Sequence, residues 1–468
     1  MKLKMKKKLD LKFVCKKIWK LEKDMNLLDI NIQGVKFWQV IRYLVINEII
    51  QERGIHGIAH SKKSTIANKS KAIPMYIYNS ITKNPFTYKG NIDVLIFDHE
   101  RKKKINNNYK DIYTIDLIKK LKQRNKRYLV IEDDYLRKHY SHRHDDNRMY
   151  NDFYYLSSMI KRLYLKIRLN GEEHKLINDL NKEIKVNLGS EINLIEITKK
   201  EIKTFKMKYS YYLKLLRKLK PKMIYVVVSY GRPALIAAAK ELEIKVIEIQ
   251  HGVITPFHLG YSFPIVPNHK IDYFPDELHL FGEYWKNSAD FPINDNNIRS
   301  VGFPYLYNEL LDYSQKEKKP KQIIFLSQGT IGKELSEFSF GMAKEMKDYN
   351  FIYKLHPGEY DRWKELYPFL LKANNLRNFI VIDNNNKSLH EYLSTSNCQI
   401  GVYSTAIYEG LALKCKTFLL NIPGIEYMEN LIENGYAKVI NKDQYNIQED
   451  ILRYSKFSEL NNIFDGEK

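Results

Sequence analysis

Cysteine is scarce in this chain of 468 residues, with only Cys15, Cys398 and Cys415. The three share no metal-ligand spacing, and two lie in or beside apolar runs, where a free thiol behaves as a small hydrophobe. A disulfide framework is not expected, which suits a reducing cytoplasm. No CxxC, HExxH or GxSxG element occurs, and neither GxGxxG nor a Walker loop is found, so the chemistries those motifs carry are not signalled. No uninterrupted apolar run approaches the ~18 residues of a membrane span. The first residues, MKLKMKKKLDLKFVCKKIWKLEK, lack a long apolar core and a small-residue cleavage site, so no signal peptide is expected. No short internal repeat is visible.

What is present is charge and aromatic bulk. The net charge is +22, with 44 % hydrophobic and 13 % aromatic residues. That composition supports packed cores, and the length points to two domains. The positive balance points to anionic partners: phosphorylated substrates, acidic membrane surfaces or nucleic acid. No RNP-like, OB-like or helix-turn-helix signature accompanies it, so a nucleic-acid partner is not expected. Near the N-terminus Leu11, Val14, Cys15, Ile18 and Leu21 fall on one helical face, with Lys12, Lys16, Lys17 and Lys20 largely elsewhere. The pattern fits an interfacial helix on an acidic leaflet or a solvated basic arm.

Residues 1–72 read as a basic helical region. From there apolar strand candidates alternate with amphipathic helices, the pattern of parallel sheets. Asn91–Asp98, Arg127–Asp133, Met223–Ser229, Lys245–Ile249, Glu277–Phe281 and Ile298–Gly302 are the strands of a first Rossmann-like domain, 73–312. A long helical stretch runs from Tyr150 to about Lys220, broken near Gly171 and Gly189. Tyr313–Gln322 is charged and poor in apolar residues, and reads as a linker. A second Rossmann-like domain, 323–440, follows, and 441–468 is a helical tail. The expected fold is α/β, two parallel-sheet domains facing a central cleft.

Within the second domain, Gln399–Gly424 (QIGVYSTAIYEGLALKCKTFLLNIPG) reads as strand, turn, helix and strand. Ser404 and Thr405 stand where the helix begins, and a helix N-terminus with free N–H groups and hydroxyls favours anions. Ligands of open α/β sheets bind at the carboxyl ends of strands. Three further strand ends share that rim: Gln250-His251-Gly252, Ser327-Gln328-Gly329-Thr330 and His356-Pro357. An imidazole at His251 could accept a proton from a hydroxyl, with His258 and Tyr261 a little further on. One at His356 could steady charge on a leaving phosphate. Glu409 could receive a ribose diol. The structural alternatives are a backbone-bonded His251, a solvated His356, Ser404 as a simple N-cap and Glu409 as a surface residue. Glu132-Asp133-Asp134 reads as solvated, and the His139, His142, His144, Asp145, Asp146 cluster as a weak metal candidate.

KLHPGE at Lys354–Glu359, followed by GVYSTAIYEGLALKCKTFLL at Gly401–Leu420, resembles the His-Pro and Ser-Thr motifs of bacterial GT-B glycosyltransferases of surface polysaccharide synthesis. Sialyltransferases, Kdo transferases of capsule synthesis and CDP-glycerol glycerophosphotransferases are similar in pattern. EIQHGVI at Glu248–Ile254 and LFGEYWK at Leu280–Lys286 are similar to capsular biosynthesis enzymes. The likeness runs from about Met223 to Gly424 and is poor before it. It implies a GT-B fold and a metal-independent glycosyltransferase with no bound cofactor. The nucleotide-sugar donor would be a co-substrate, contacted by Gln328, Gly329, Thr330, His356, Pro357, Ser404, Thr405 and Glu409. His251 would act as base, by analogy with the His-Gly motif of the glycerophosphotransferases. The acceptor would be a lipid-linked or growing glycan at the inner face of the cell membrane. The acidic motif supplying the base in many sialyltransferases has no match, and Glu409 stands where the glycerophosphotransferases carry Asp. The alternative on the same fold is a CDP-alditol phosphotransferase or a nucleotide-sugar epimerase.

Overall fold

Parallel strands need both faces covered, and their sequences therefore read as unbroken apolar runs. In the computed structural model, which describes residues 9–55, 66–100, 102–105, 108–140, 147–264, 271–454, 456 and 460–466, such runs build two sheets. The first contains β1 (Val94–Phe97), β2 (Tyr128–Glu132), β3 (Arg148–Tyr150), β4 (Met223–Val227), β5 (Lys245–Ile249), β6 (Glu277–Leu280) and β7 (Ile298–Ser300). Its order is β7-β6-β5-β4-β1-β2-β3, parallel throughout. The second contains β8 (Lys319–Leu326), β9 (Asn350–Lys354), β10 (Phe379–Ile382), β11 (Ser396–Gly401), β12 (Lys416–Leu420) and β13 (Lys438–Ile440). Its order is β10-β9-β8-β11-β12-β13, again parallel. The expected α/β class with two parallel-sheet domains is the observed one.

Helices α1 (Leu11–Asp24), α2 (Phe37–Glu52), α3 (Ile66–Thr82), α4 (Ile115–Gln123), α5 (Asp152–Tyr164), α6 (Gly171–Leu188), α7 (Leu194–Leu219) and α8 (Pro233–Glu241) accompany the first sheet. Gly189 ends α6 at φ +62, a left-handed cap that glycine adopts without strain. Helix α9 (Pro304–Ser314) leads to the second domain, whose helices include α10 (Gly332–Glu345), α11 (Leu389–Thr395) and α12 (Thr405–Ala412).

Several expectations change here. The apolar face of α1 is not free for a leaflet. Leu11, Val14, Cys15 and Ile18 are fully buried in the main core, and Trp19 stacks on Phe257 with ring centroids 6.2 Å apart. Amphipathicity reports that a face is covered, not by what. The stretch read as a linker is mostly regular structure, since α9 continues to Ser314 and β8 starts at Lys319. Its charges belong to an exposed strand end where Pro320 sits in a register shift between Lys319 and Ile323, as an imino acid that cannot donate requires. The tail divides. Ile447 and Ile451 join the second domain's core, whereas residues 460–466 return to the first, where Trp285 Nε1 donates to Ile463 O at 2.8 Å and Phe303 N to Asp465 O at 2.8 Å. A Cβ at Gly282 would stand 2.4 Å from Asn462 O, so only glycine admits the returning chain there.

Candidate active site

Each strand-end residue singled out in the sequence lies at the carboxyl edge of its sheet. On the first domain, β5 runs into Gln250, whose side chain pins the turn: Oε1 accepts from Phe281 N at 2.9 Å and Nε2 donates to Gly252 O at 2.8 Å. His251, half-buried, lines a cavity of about 440 Å³ built from the ends of β1, β2, β4 and β5. Its ring stacks near His99 (5.9 Å, 25°), lies edge-on to Tyr113 (6.3 Å) and places Nε2 3.4 Å from the Tyr230 hydroxyl. Tyr154, Tyr155, Tyr212, Lys208 and Arg232 complete much of the wall. Val228, also in the wall, has φ +67, an uncommon conformation for a β-branched residue and a local store of strain.

The loop after His251 is clamped from the N-terminal side. Arg42 of α2 and Glu22 of α1 form a buried ion pair (Nε to Oε1, 2.6 Å), and Arg42 also donates to Ser262 O at 2.9 Å and to Leu259 O. His258 is half-buried, and desolvation pushes its imidazole down to about 4. Tyr261 donates to Glu248 Oε1 at 2.6 Å. Burial drives the Glu248 carboxyl up to about 7, against the lowering effect of the Ser229 and Tyr261 hydrogen bonds. His258 and Tyr261 hold the loop together.

The acidic run at 132–134 is a correction: its first two residues are not solvated. Glu132 is buried and receives Arg148 Nη1 at 2.7 Å and His139 Nδ1 at 3.0 Å, and Asp133 pairs with Arg232 at 2.9 Å. Arg232 comes from a distant segment, and Arg148 reaches Glu132 from the neighbouring strand β3, approaches that a local reading cannot see. His139 also reaches Asp152 at 2.9 Å. Burial opposes its charge, but the two carboxylates prevail and hold its imidazole up at about 9. His142, His144, Asp145 and Asp146 lie outside the described residues. Among the described residues no group of three or more His, Cys, Asp and Glu side chains is arranged to hold a metal ion.

On the second domain, Ser404 caps α12, its Oγ accepting from Ala406 N at 3.2 Å. The structural alternative for Ser404 is therefore realised, and it leaves the hydroxyl hydrogen for another acceptor. Thr405 is the first helical residue, partly exposed. His356 is exposed, its Nδ1 accepting from Gly358 N at 3.1 Å. Glu359, which sequence reasoning quoted but gave no role, organises this corner. It is buried and accepts from His356 N at 2.8 Å, Tyr367 OH at 2.6 Å and Ser327 Oγ at 3.1 Å. The Gln328-Gly329-Thr330 loop is thereby tied to the His-Pro turn, and the Thr330 hydroxyl bonds that of Tyr403. Glu409 is no free surface residue, since His390 Nε2 lies 2.8 Å from its Oε2.

Aromatic side chains cluster near both edges, and a ring contact joins the two domains. Tyr230 packs on Tyr43 at 4.6 Å. Tyr427 lies 5.5 Å from Tyr403, and its hydroxyl is pushed well up by burial, then by Cys15, Tyr43 and Tyr403 around it. Tyr408 of α12 packs on Trp285 at 4.7 Å. The cavity of His251 is walled by the first domain alone, and His356, Ser404 and Thr405 do not line it. His99, Tyr113, Tyr230, Lys208 and Arg232 were missed; the strand-end rule that found His251 would also have flagged His99 and Arg232.

No family model matches the chain, and no curated protein sequence matches it. Among solved structures it is similar to the UDP-GlcNAc 2-epimerase of Methanocaldococcus jannaschii, at 14 % identity and a TM-score of 0.46, over 81 % of this chain and 96 % of that one. It is also similar to MurG of Acinetobacter baumannii, at 12 % identity and a TM-score of 0.42, over 76 % and 88 %, and to the glycotransferase of kitacinnamycin, at 11 % and 0.39, over 77 % and 88 %. Likenesses at this level assign no activity.

Proposed function

We propose that the chain is a glycosyltransferase that moves a sugar from a nucleotide-activated donor to a lipid-linked or growing surface glycan, without a metal ion. The observation that carries the reading is His251, set with Tyr230 and His99 in the wall of a polar, tyrosine-rich cavity at a sheet's carboxyl edge. A cavity of about 440 Å³ suits a sugar unit. The His251 imidazole takes the proton of an acceptor hydroxyl as that oxygen bonds the anomeric carbon. The bond from that carbon to the donor phosphate breaks, and the leaving nucleotide keeps the electron pair. His356, the Ser404 and Thr405 hydroxyls and the N-terminal dipole of α12 steady the phosphate. Gln328, Gly329, Thr330 and Pro357 shape the seat, and Glu409, oriented by His390, receives the ribose diol.

A thermal-shift panel of CMP-, CDP- and UDP-activated donors tests this, because a ligand of the folded state raises apparent stability. One nucleotide class should stabilise the chain, and product analysis with that donor should show a new glycosidic bond. An epimerised donor or a transferred alditol phosphate would instead favour the alternative chemistry. No stabilisation by any member would overturn the reading.

A further inference from the structure

Helix α5 buries one face and leaves the other bare. Met159, Ile160, Leu163 and Tyr164 stand outward, the last two 72 % and 79 % exposed. Helix α3 packs beside it, joined by the Tyr76–Tyr155 stack at 5.5 Å and by Asn79 Nδ2 donating to Asp152 Oδ2 at 2.8 Å. It adds Ile77, Tyr78 and Ile81, the last 71 % exposed. Single exposed apolar residues are ordinary, but a cluster of this size on two packed helices marks a contact surface.

The charge carried by the outward faces of the two helices themselves has one sign. Lys161 and Arg162 are exposed on the last turn of α5, and Lys166 and Arg168 in the segment after it. No acidic residue occurs from Phe153 to Asn170, nor from Ile66 to Ile92. Lys161, Arg162 and Lys166 make no ion pair among the described residues. A second copy of the chain is a poor occupant, since an isologous contact would set these cations against their own images with no acid on the same helical faces to offset them. Apolar side chains fringed by unpaired Lys and Arg match the boundary between headgroups and acyl chains of an anionic bilayer.

We propose that the outer face of α3 and α5 is a docking surface for an anionic lipid bilayer. This replaces α1, whose apolar face is internal. The same α5 carries Tyr154 and Tyr155 into the wall of the His251 cavity, so the bilayer would lie one helix width from it. Only the supply of a lipid-linked acceptor rests on the transferase reading; the docking itself does not.

Flotation of the full chain with vesicles of phosphatidylcholine, alone or with phosphatidylglycerol, tests it without any donor. Binding is expected only to the anionic vesicles and should weaken as salt rises from ~0.1 to ~0.5 M. Leu163→Ser with Tyr164→Ser should lower the bound fraction ~tenfold, and Lys161→Gln with Arg162→Gln should weaken binding to anionic vesicles. Unchanged melting curves would show that these exposed changes leave the fold intact. Equal binding to neutral vesicles, no binding at all, variants that float like the parent, or a dimer in light scattering that Leu163→Ser dissolves would each overturn the proposal. A chain that docks yet transfers nothing would overturn the transferase reading alone.

Discussion

His390 Nε2 lies 2.8 Å from Glu409 Oε2, while Nδ1 of the same ring lies 3.0 Å from Glu309 Oε1. One imidazole thus joins α9, which leaves the first domain, to α12, which carries the Ser-Thr corner. Burial opposes its charge, but the two carboxylates prevail and hold it up at about 9. The Glu309 carboxyl, with burial pushing the other way, is brought down to about 2, chiefly by His390.

The pH dependence follows from those directions. A histidine whose folded value is raised stabilises fully below its ordinary value and loses that contribution as pH rises through about 9. His139 behaves in the same way. Glu309 stabilises above the ordinary carboxylate range and loses its contribution only as pH falls through about 2. Urea midpoints should therefore fall between neutral pH and ~10. His390→Leu should lose about 1–3 kcal/mol at pH 7, because two part-buried carboxylates lose their cation, and its alkaline slope should flatten. An unchanged slope would mean that the ring is not charged in the native state.

Replacing His251 or His356 by Ala should each lower turnover by roughly two orders of magnitude or more. The two should differ in binding. His251→Ala should keep the thermal shift given by the donor nucleotide, since its ring faces a cavity walled by the other domain, whereas His356→Ala should reduce it. Full turnover in both variants would remove the mechanism.

The donor corner depends on a side chain that touches no proposed ligand. Glu359→Ala strands the Tyr367 and Ser327 hydroxyls and the His356 N–H, and should cost about 2–4 kcal/mol. Gly332→Ala attacks the same cluster from above. Its Cβ would stand 2.4 Å from the Tyr367 hydroxyl and 2.7 Å from Glu359 Oε1. Both variants should weaken nucleotide-induced stabilisation, measured against a control such as Leu371→Ala on an exposed helix face. Equal nucleotide shifts in all three would show that the turn holds its shape without Glu359.

Strands were legible because burial on both faces leaves an apolar run, and Lys245–Ile249 was read with its observed bounds. Arg148–Tyr150 and Lys438–Ile440 were missed; these edge strands are three residues long and carry cations, too little for a pattern. The rim positions of His251, His356, Ser404 and Thr405 followed from strand ends. The partners did not. His390 with Glu309 and Arg42 with Glu22 are pairings made by tertiary approach, and sequence spacing carries no trace of them. Residue pattern also found the amphipathic face of α1 but could not say whether lipid or protein covers it.

That last ambiguity is open to measurement. Ile18 is fully buried in the core that α1 shares with α2, α6 and the loop after His251. If α1 were a membrane arm, Ile18→Asp would abolish vesicle binding and leave the melting curve in place. With the ring of Trp19 stacked on Phe257, Cys15 Sγ donating to Phe257 O at 3.7 Å and Lys12 paired with Glu429 of the second domain, the opposite is expected. A carboxylate at position 18 would be buried without a partner and should cost more than the about 2–5 kcal/mol of an Ile→Ala truncation. The damage should reach the site, because α1 and α2 clamp Leu259 and Ser262 through Arg42. Ile18→Ala, which only opens a cavity, should lower the urea midpoint yet keep vesicle binding through α3 and α5. An Ile18→Asp chain that melts like its parent would return α1 to the surface.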